Sequence, residues 1–383
     1  MVYGKASLYY VRYSVLGRCL RYTFTTFNPL LWLITIILLI LFFINNISLF
    51  LFRLLDEIFY RKYHDVQIKS PVFIIANPRS GTTFLHRMMS KDEKRFTYMK
   101  FAHTLFCAAT FVDFTKYVKR ADDFVGSPIT KLLNKMDEKL YAGWEDIHEM
   151  GFNKAEEDEA LFAQSMMSSG IFVLFPFFHL VKNNYMLDNE PQQVRNNMMD
   201  FYESSLKRFV YARDKHKTYL AKNVNSSGRI QSILSRFPDA KIIFIARNPY
   251  KAVPSMVSMF SVMYGFHSPA MPKTHPTYKQ WANCSIDFFK HFNDVKKTLK
   301  QSQFYALKYD TLIAQPKETV LDIYKHFDWE VSKEFTNSLE QESHRNKDYK
   351  SSHNYSLEEY GISKNEIAEQ LGEVIAEYGF QPI

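Results

Sequence analysis

Residues 77–84 read Asn77-Pro78-Arg79-Ser80-Gly81-Thr82-Thr83-Phe84, a short run of small, hydroxylated and cationic side chains. Such a set can hold an anion. Ser80, Thr82 and Thr83 offer hydroxyl donors, Arg79 offers a planar cation, and Gly81 lets backbone approach a ligand closely. A second constellation is Arg247-Asn248-Pro249 with Ser255 eight residues past the arginine. A guanidinium makes paired hydrogen bonds to phosphate, and a helical serine beyond it adds a hydroxyl. Lys222 supplies a further point cation, and the stretch 144–161 gathers His148, Glu156, Glu157, Asp158 and Glu159. Imidazole titrates near neutrality and carboxylates accept protons, so this stretch has the groups a general base requires. The chemistry implied is the handling of a phosphate or sulfate ligand, with a proton acceptor nearby.

These groups need elements to hold them. Val72-Phe73-Ile74-Ile75 reads as a buried strand, and Phe84 to Met89 has helical character. Strand, polar turn and helix start together aim unpaired N–H groups and the positive end of a helix dipole at one spot. Lys241 to Ala246 is another buried-strand pattern, entered by the turn Phe237-Pro238-Asp239-Ala240 and left through Arg247 into a helical stretch, Tyr250 to Phe260. Both anion-holding sets therefore fall at the C-terminal end of a strand, the edge where open α/β sheets bind ligands.

The nucleoside triphosphatase loop G-x-x-x-x-G-K-[ST] is not met, because this segment lacks both the first glycine and the lysine. Residues 77–84 instead resemble the 5′-phosphosulfate loop of sulfotransferases, P-[KR]-S-G-T-T-[FWL] after a strand. These enzymes take a sulfuryl group from 3′-phosphoadenosine-5′-phosphosulfate (PAPS). Arg247 and Ser255 are similar to that family's 3′-phosphate motif. Tyr219 to Ile230 resembles the K-[STN]-P-x-x-x-x-[RK] segment whose lysine faces the transferring group, with Val224 where the family usually has proline. Tyr305 to Asp310 with Pro316 is similar to a late strand and turn of the family. The acidic stretch is similar to H-x-M-G-x-x-x-P-E-E-D-E-x-L of the broad bacterial-type group, with Ala155 replacing proline.

The resemblance implies a P-loop-like three-layer α/β/α fold with a central, mainly parallel sheet. It implies PAPS as co-substrate, held by Arg79, Ser80, Gly81, Thr82, Thr83, Phe84, Arg247 and Ser255, with Lys350 and Ser352 as candidates from a late loop. Catalytic candidates are Lys222, Arg79, His148, Glu157 and Asp158. Some membrane-bound relatives draw a base from a glutamate in the strand after the loop, but Phe96 to Phe101 holds no acid. The base must come from elsewhere: His148, Glu157 or Asp158, with His86 in reserve. The competing view of Glu156 to Glu159 is an acidic first helical turn that complements a helix dipole.

From Tyr22 to Phe52 there is no charged residue, and Leu30 to Ile44 is almost purely apolar. That length can cross a bilayer as a helix. The expected organisation is a membrane-anchoring segment over 1–66, with its apolar run at 22–52, followed by a sulfotransferase domain over 67–383. Two topologies stand open. A single span would place the enzyme in a lumen, whereas interruption at Asn45-Asn46 would give a re-entrant or interfacial pair with an amphipathic helix at Leu49 to Tyr60. The net charge of +8 suits a polyanionic nucleotide or an anionic membrane surface. No nucleic-acid-binding motif appears, and Cys19, Cys107 and Cys284 lack the spacing of a metal or disulfide site.

Aromatic residues make up 16% of the chain. With a membrane segment they point to a greasy acceptor pocket and a lipid or sterol-like alcohol as acceptor. A glycan acceptor is the alternative enzyme reading. A catalytically decayed, membrane-tethered nucleotide-binding scaffold is the non-enzyme reading.

Overall fold

Every residue from Val72 to Ala76 is apolar and buried, and the side chains divide between two layers. Phe73 and Ile75 join one core cluster, while Val72, Ile74 and Ala76 join another. That division follows from the two-residue period of a strand, and burial of both faces is the mark of a parallel sheet covered on each side.

The computed structural model describes residues 5–140, 155–181, 185–345 and 358–382. Two helices precede the sheet, α1 (Tyr13–Thr25) and α2 (Pro29–Phe59). Then come β1 (Val72–Ala76), α3 (Thr82–Met89), β2 (Phe96–Thr97), α4 (Phe101–Leu105), α5 (Ala109–Phe124), α6 (Pro128–Leu140) and α7 (Glu159–Gln164). The middle of the chain forms α8 (Gln192–Arg213), β3 (Thr218–Lys222), α9 (Ile230–Arg236), β4 (Lys241–Ala246), α10 (Pro249–Tyr264) and α11 (Pro276–Lys296). It closes with β5 (Phe304–Lys308), α12 (Tyr309–Ala314), α13 (Pro316–His326), α14 (Lys333–Arg345) and α15 (Lys364–Tyr378).

Among the described residues five strands form the sheet in the order β2-β3-β1-β4-β5, and each pairs with its neighbours in parallel. This is the three-layer α/β/α arrangement expected. β1 sits at the centre, with Ile74 level with Lys222 of β3 and Ala76 level with Ile245 of β4. The C-terminal ends of β3, β1 and β4 therefore lie side by side. Residues from α5, α8, α9 and α11 cover one face of the sheet, and residues from α3, α13 and α14 cover the other.

The N-terminal region is built into this body. Val15, Leu16 and Cys19 of α1 and Leu31 of α2 belong to a third core cluster with residues of α10, α11 and α15. Asn45 and Asn46 do not interrupt α2, which runs unbroken over 31 residues with an apolar window of mean hydropathy 2.6. Asn46 Nδ2 donates to the Phe42 carbonyl inside the helix at 2.9 Å, so the side chain satisfies itself without breaking the helix. The polar residues of Leu49 to Tyr60 turn inward. Arg53 and Asp56 are fully buried, and Asp56 accepts from the Ala109 and Thr110 amides, which caps α5.

Candidate active site

The loop after β1 bends through two left-handed residues, Arg79 (φ 67°) and Gly81 (φ 78°), before α3 begins. Gly81 is required on two counts. A side chain disfavours that φ, and a Cβ there would lie 3.2 Å from the Tyr309 ring. Asn77 Nδ2 ties the loop to α11 through the Ser285 carbonyl and hydroxyl, each at 2.8 Å. Thr82, Thr83 and Phe84 occupy the first turn of α3, whose amides have no partner within the helix.

The second anion-holding set meets the first. Arg247, directly after β4, donates from Nη1 to the Arg79 carbonyl, and its guanidinium lies 4.7 Å from the centre of the Tyr309 ring. Ser255 follows on α10, where Asn248 caps the helix by accepting from the Tyr250 amide at 3.0 Å. Ser80 and Ser255 are both buried, and neither hydroxyl has a hydrogen-bond partner. Buried hydroxyls are normally satisfied, so two orphans, one in the loop after β1 and one on the helix after neighbouring β4, fit a ligand that accepts hydrogen bonds.

Lys222 closes β3 and is fully buried, unlike an ordinary solvated lysine. Its Nζ donates to Thr83 Oγ1 at 2.9 Å and lies 2.8 Å from Glu157 Oε1, whose side chain keeps 18% exposure. Asn223, the next residue, donates to Asp158 Oδ1 at 2.7 Å. Asp158 faces the core, where it also accepts from the Tyr202 and Tyr219 hydroxyls. Burial pushes its carboxyl above the usual range, against the opposing pull of the Tyr202 and Asn223 hydrogen bonds.

The acidic segment is held before α7 starts. Ala155 bridges antiparallel to Lys100, and the Glu156 amide donates to the Met99 carbonyl at 3.0 Å. Only Glu159 lies in the first turn of α7, so Glu156 and Glu157 are not the dipole-complementing turn considered from the sequence. Glu159 accepts both arms of Arg229, at 2.9 and 3.0 Å, while that guanidinium sits 3.6 Å over the Phe162 ring. This clamp fixes the chain two residues beyond Glu157.

His86 is buried on α3, with Nε2 unpartnered. Burial, and then the charge of Lys222, push its pKa down to about 3, which keeps the ring neutral. His148, Lys350 and Ser352 lie outside the described residues. Among the described residues, no group of three or more His, Cys, Asp or Glu is arranged to hold a metal. Sequence reasoning missed Ser285 and the contact of Tyr309 with the loop, and it met Arg229 only as the closing residue of the Lys222 motif, without its clamp on Glu159. For Tyr309 a signal was present, since it belongs to the late strand-and-turn resemblance.

The model of the Sulfotransferase family matches residues 71–333. Omega-hydroxy-beta-dihydromenaquinone-9 sulfotransferase Stf3 from Mycobacterium bovis is 26% identical over 322 residues, 81% of this chain and 75% of that protein. The Stf3 of Mycobacterium tuberculosis matches to the same extent. Among solved structures, sulfotransferase STF9 from Mycobacterium avium superposes with a TM-score of 0.71 at 15% identity, over 88% of this chain and 82% of that one. STF1 from Mycobacterium tuberculosis gives 0.62 at 21% identity, over 86% and 84%. These two similarities establish the shared fold.

Proposed function

The chain belongs to the sulfotransferase family, and from that premise we propose that it moves a sulfuryl group from PAPS to the hydroxyl of a lipophilic alcohol. The observation that carries the reading is the salt bridge of Glu157 with buried Lys222, set beside the loop that follows β1. When bound, PAPS supplies a sulfuryl group already activated by its phosphate leaving group.

The residues fit such a donor. Ser80, Gly81, Thr82, Thr83 and Phe84 would hold its 5′ end, using the orphan Ser80 hydroxyl and the open amides of α3. Arg247 and the orphan Ser255 hydroxyl would hold the 3′-phosphate. Lys222 places a fixed positive charge where the leaving oxygen gains negative charge, and Arg79 adds a second cation. Glu157 receives the acceptor's proton and, through the 2.8 Å contact, keeps the Lys222 ammonium in position. Asp158 acts one step back: through Asn223 it fixes the end of β3 that carries Lys222. His148 is proposed as an alternative base, and Lys350 and Ser352 as further contacts to the nucleotide.

Two observations support a lipophilic acceptor. The name of Stf3 identifies its acceptor as a hydroxylated menaquinone derivative, and this chain carries an apolar 31-residue helix with much of its surface bare. In this reading residues 67–383 form the catalytic unit, and residues 1–66 associate it with a membrane. The test is transfer of label from PAPS to a panel of isoprenoid, sterol and polysaccharide acceptors. Transfer to lipid alcohols is expected; robust transfer to polysaccharide alone would overturn the acceptor assignment.

A further inference from the structure

We infer that α2 does not cross a bilayer but lies along one face of it, so that the enzyme docks on a single side of the membrane. The inference rests on the membrane association proposed above and fixes its geometry.

A spanning helix needs about 20 consecutive residues among lipid. In α2 one stripe faces protein along the whole length. Leu31, Thr35, Asn46, Leu49, Arg53 and Asp56 are buried, and Leu39 and Phe42 pack on the core between them. The spacing of three and four residues is that of one helical face. Both ends are fastened to the same body. At the start, the capping Asn28 donates from Nδ2 to the His267 carbonyl at 3.1 Å and to Ser268 Oγ at 3.3 Å. In the middle, Asn45 Nδ2 donates to Gln164 Oε1 at 3.2 Å. Near the end, Arg53 donates to the Cys107, Ser7 and Leu8 carbonyls, and Asp56 lies 3.0 Å from Arg208. At 1.5 Å per residue Asn28 and Asp56 are roughly 42 Å apart, more than the roughly 30 Å hydrocarbon core. One folded body cannot sit at both ends of a helix that threads the membrane.

The opposite face is bare. Leu33, Ile37, Ile40, Ile44, Ile47 and Leu51 recur every three or four residues and are each about half exposed. A second bare apolar strip adjoins it, since α5 packs on α2 and leaves Phe114 and Tyr117 exposed, while α6 exposes Leu132 and Met136. Soluble monomers rarely leave open more than a few hundred Å² of contiguous apolar surface, so a bare apolar face along a 31-residue helix marks a contact surface.

Charge selects lipid over a second copy of the chain. The bare face carries no charge from Tyr22 to Phe52, while exposed Arg18 and Arg21 precede it and exposed Arg61 and Lys62 follow it. An apolar strip with basic ends matches acyl chains bordered by anionic headgroups. Protein interfaces instead carry a polar rim along their edges. In this arrangement the whole enzyme stays on one side of the membrane, and a lipid alcohol reaches the catalytic edge from the adjoining leaflet.

The test uses the full chain. Arg21→Cys and Lys62→Cys, made singly, place a thiol before and after α2, and the native cysteines are buried. In sealed membranes from producing cells, a membrane-impermeant maleimide should label both positions from the same side. Labelling from opposite sides would overturn the in-plane geometry while leaving membrane association intact. Flotation with vesicles of phosphatidylcholine and phosphatidylglycerol reads association itself. The wild type should float, and the double variant Ile40→Lys with Ile47→Lys should partition about tenfold less while still binding the desulfated product PAP. Failure of the wild type to float would overturn both statements. A double variant that floats unchanged, or that loses self-association instead, would remove this face as the lipid contact.

Discussion

Lys222 and Glu157 meet at 2.8 Å although 65 positions of sequence separate them, and the residues that follow each, Asn223 and Asp158, pair in the same way at 2.7 Å. The end of β3 and the acidic segment are thus joined by two successive contacts. The outer one is partly exposed and carries charge, and the inner one is buried and anchors it. Removal of the inner support should disturb the outer pair. Asp158→Asn keeps the size of the side chain but removes its charge and one acceptor oxygen. Turnover should fall by about tenfold with PAP affinity little changed, since Asp158 acts on the position of Lys222. Equal losses in both would show a general loss of structure.

Ser255 separates binding from stability. Its hydroxyl is buried without a partner, so Ser255→Ala removes an unsatisfied group from the folded state. Thermal stability should hold or rise by about 1 kcal/mol, while PAP affinity measured by calorimetry should fall by about tenfold. A lower melting temperature with unchanged affinity would give Ser255 a structural role instead.

Gly81 combines a left-handed φ with the Tyr309 ring 3.2 Å from where a Cβ would stand. Gly81→Ala should destabilise the fold by about 1–3 kcal/mol and displace the loop, with PAP affinity reduced as well. Denaturant titration and calorimetry on the same variant measure both effects. Full retention of both would mean that the loop tolerates a different path.

Arg247 is expected to act on affinity more than on rate. Arg247→Ala should weaken PAP binding by about a hundredfold and lower kcat at saturating PAPS far less. Arg247→Lys should recover only part of the affinity, because an ammonium cannot reproduce the paired donors of a guanidinium. Unchanged affinity in the alanine variant would remove Arg247 from the nucleotide site.

Acid should destabilise the enzyme through its buried histidines. Burial pushes His86 and His103 each down to about 3 in the folded state, against an ordinary 6.5. Above 6.5 neither state binds these protons. As pH falls from there toward 3, the unfolded chain takes up protons that the folded chain refuses, and stability declines. The slope is at most about 1.4 kcal/mol per pH unit for each histidine. Urea unfolding across that range should show the decline, and His103→Gln should make it shallower. A slope unaffected by the substitution would assign the acid response to other groups.

Legibility of the sequence followed the range of the interactions. β1, the loop after it and the start of α3 could be read because strand period, turn chemistry and helix onset are local signals. The same holds for β4 with Arg247. Lys222 was singled out through its motif, but its burial depends on Thr83 and Glu157, which come from distant parts of the chain. Arg229 closes the same motif, but its clamp on Glu159 and its seat over the Phe162 ring join distant parts of the chain. Asn45-Asn46 pointed to a break in α2, yet tertiary partners and a bond back to Phe42 absorb both amides. The amphipathic pattern from Leu49 onward was real, but its polar side faces the protein.

The most direct test follows labelled sulfuryl transfer from PAPS to a lipid alcohol by the wild type, Lys222→Ala and Glu157→Gln, with PAP binding measured on each. The wild type should transfer, and both variants should bind PAP while losing about a hundredfold or more in turnover. A wild type that binds PAP but transfers to no acceptor, or variants that transfer at the full rate, would contradict a catalytic role for this pair.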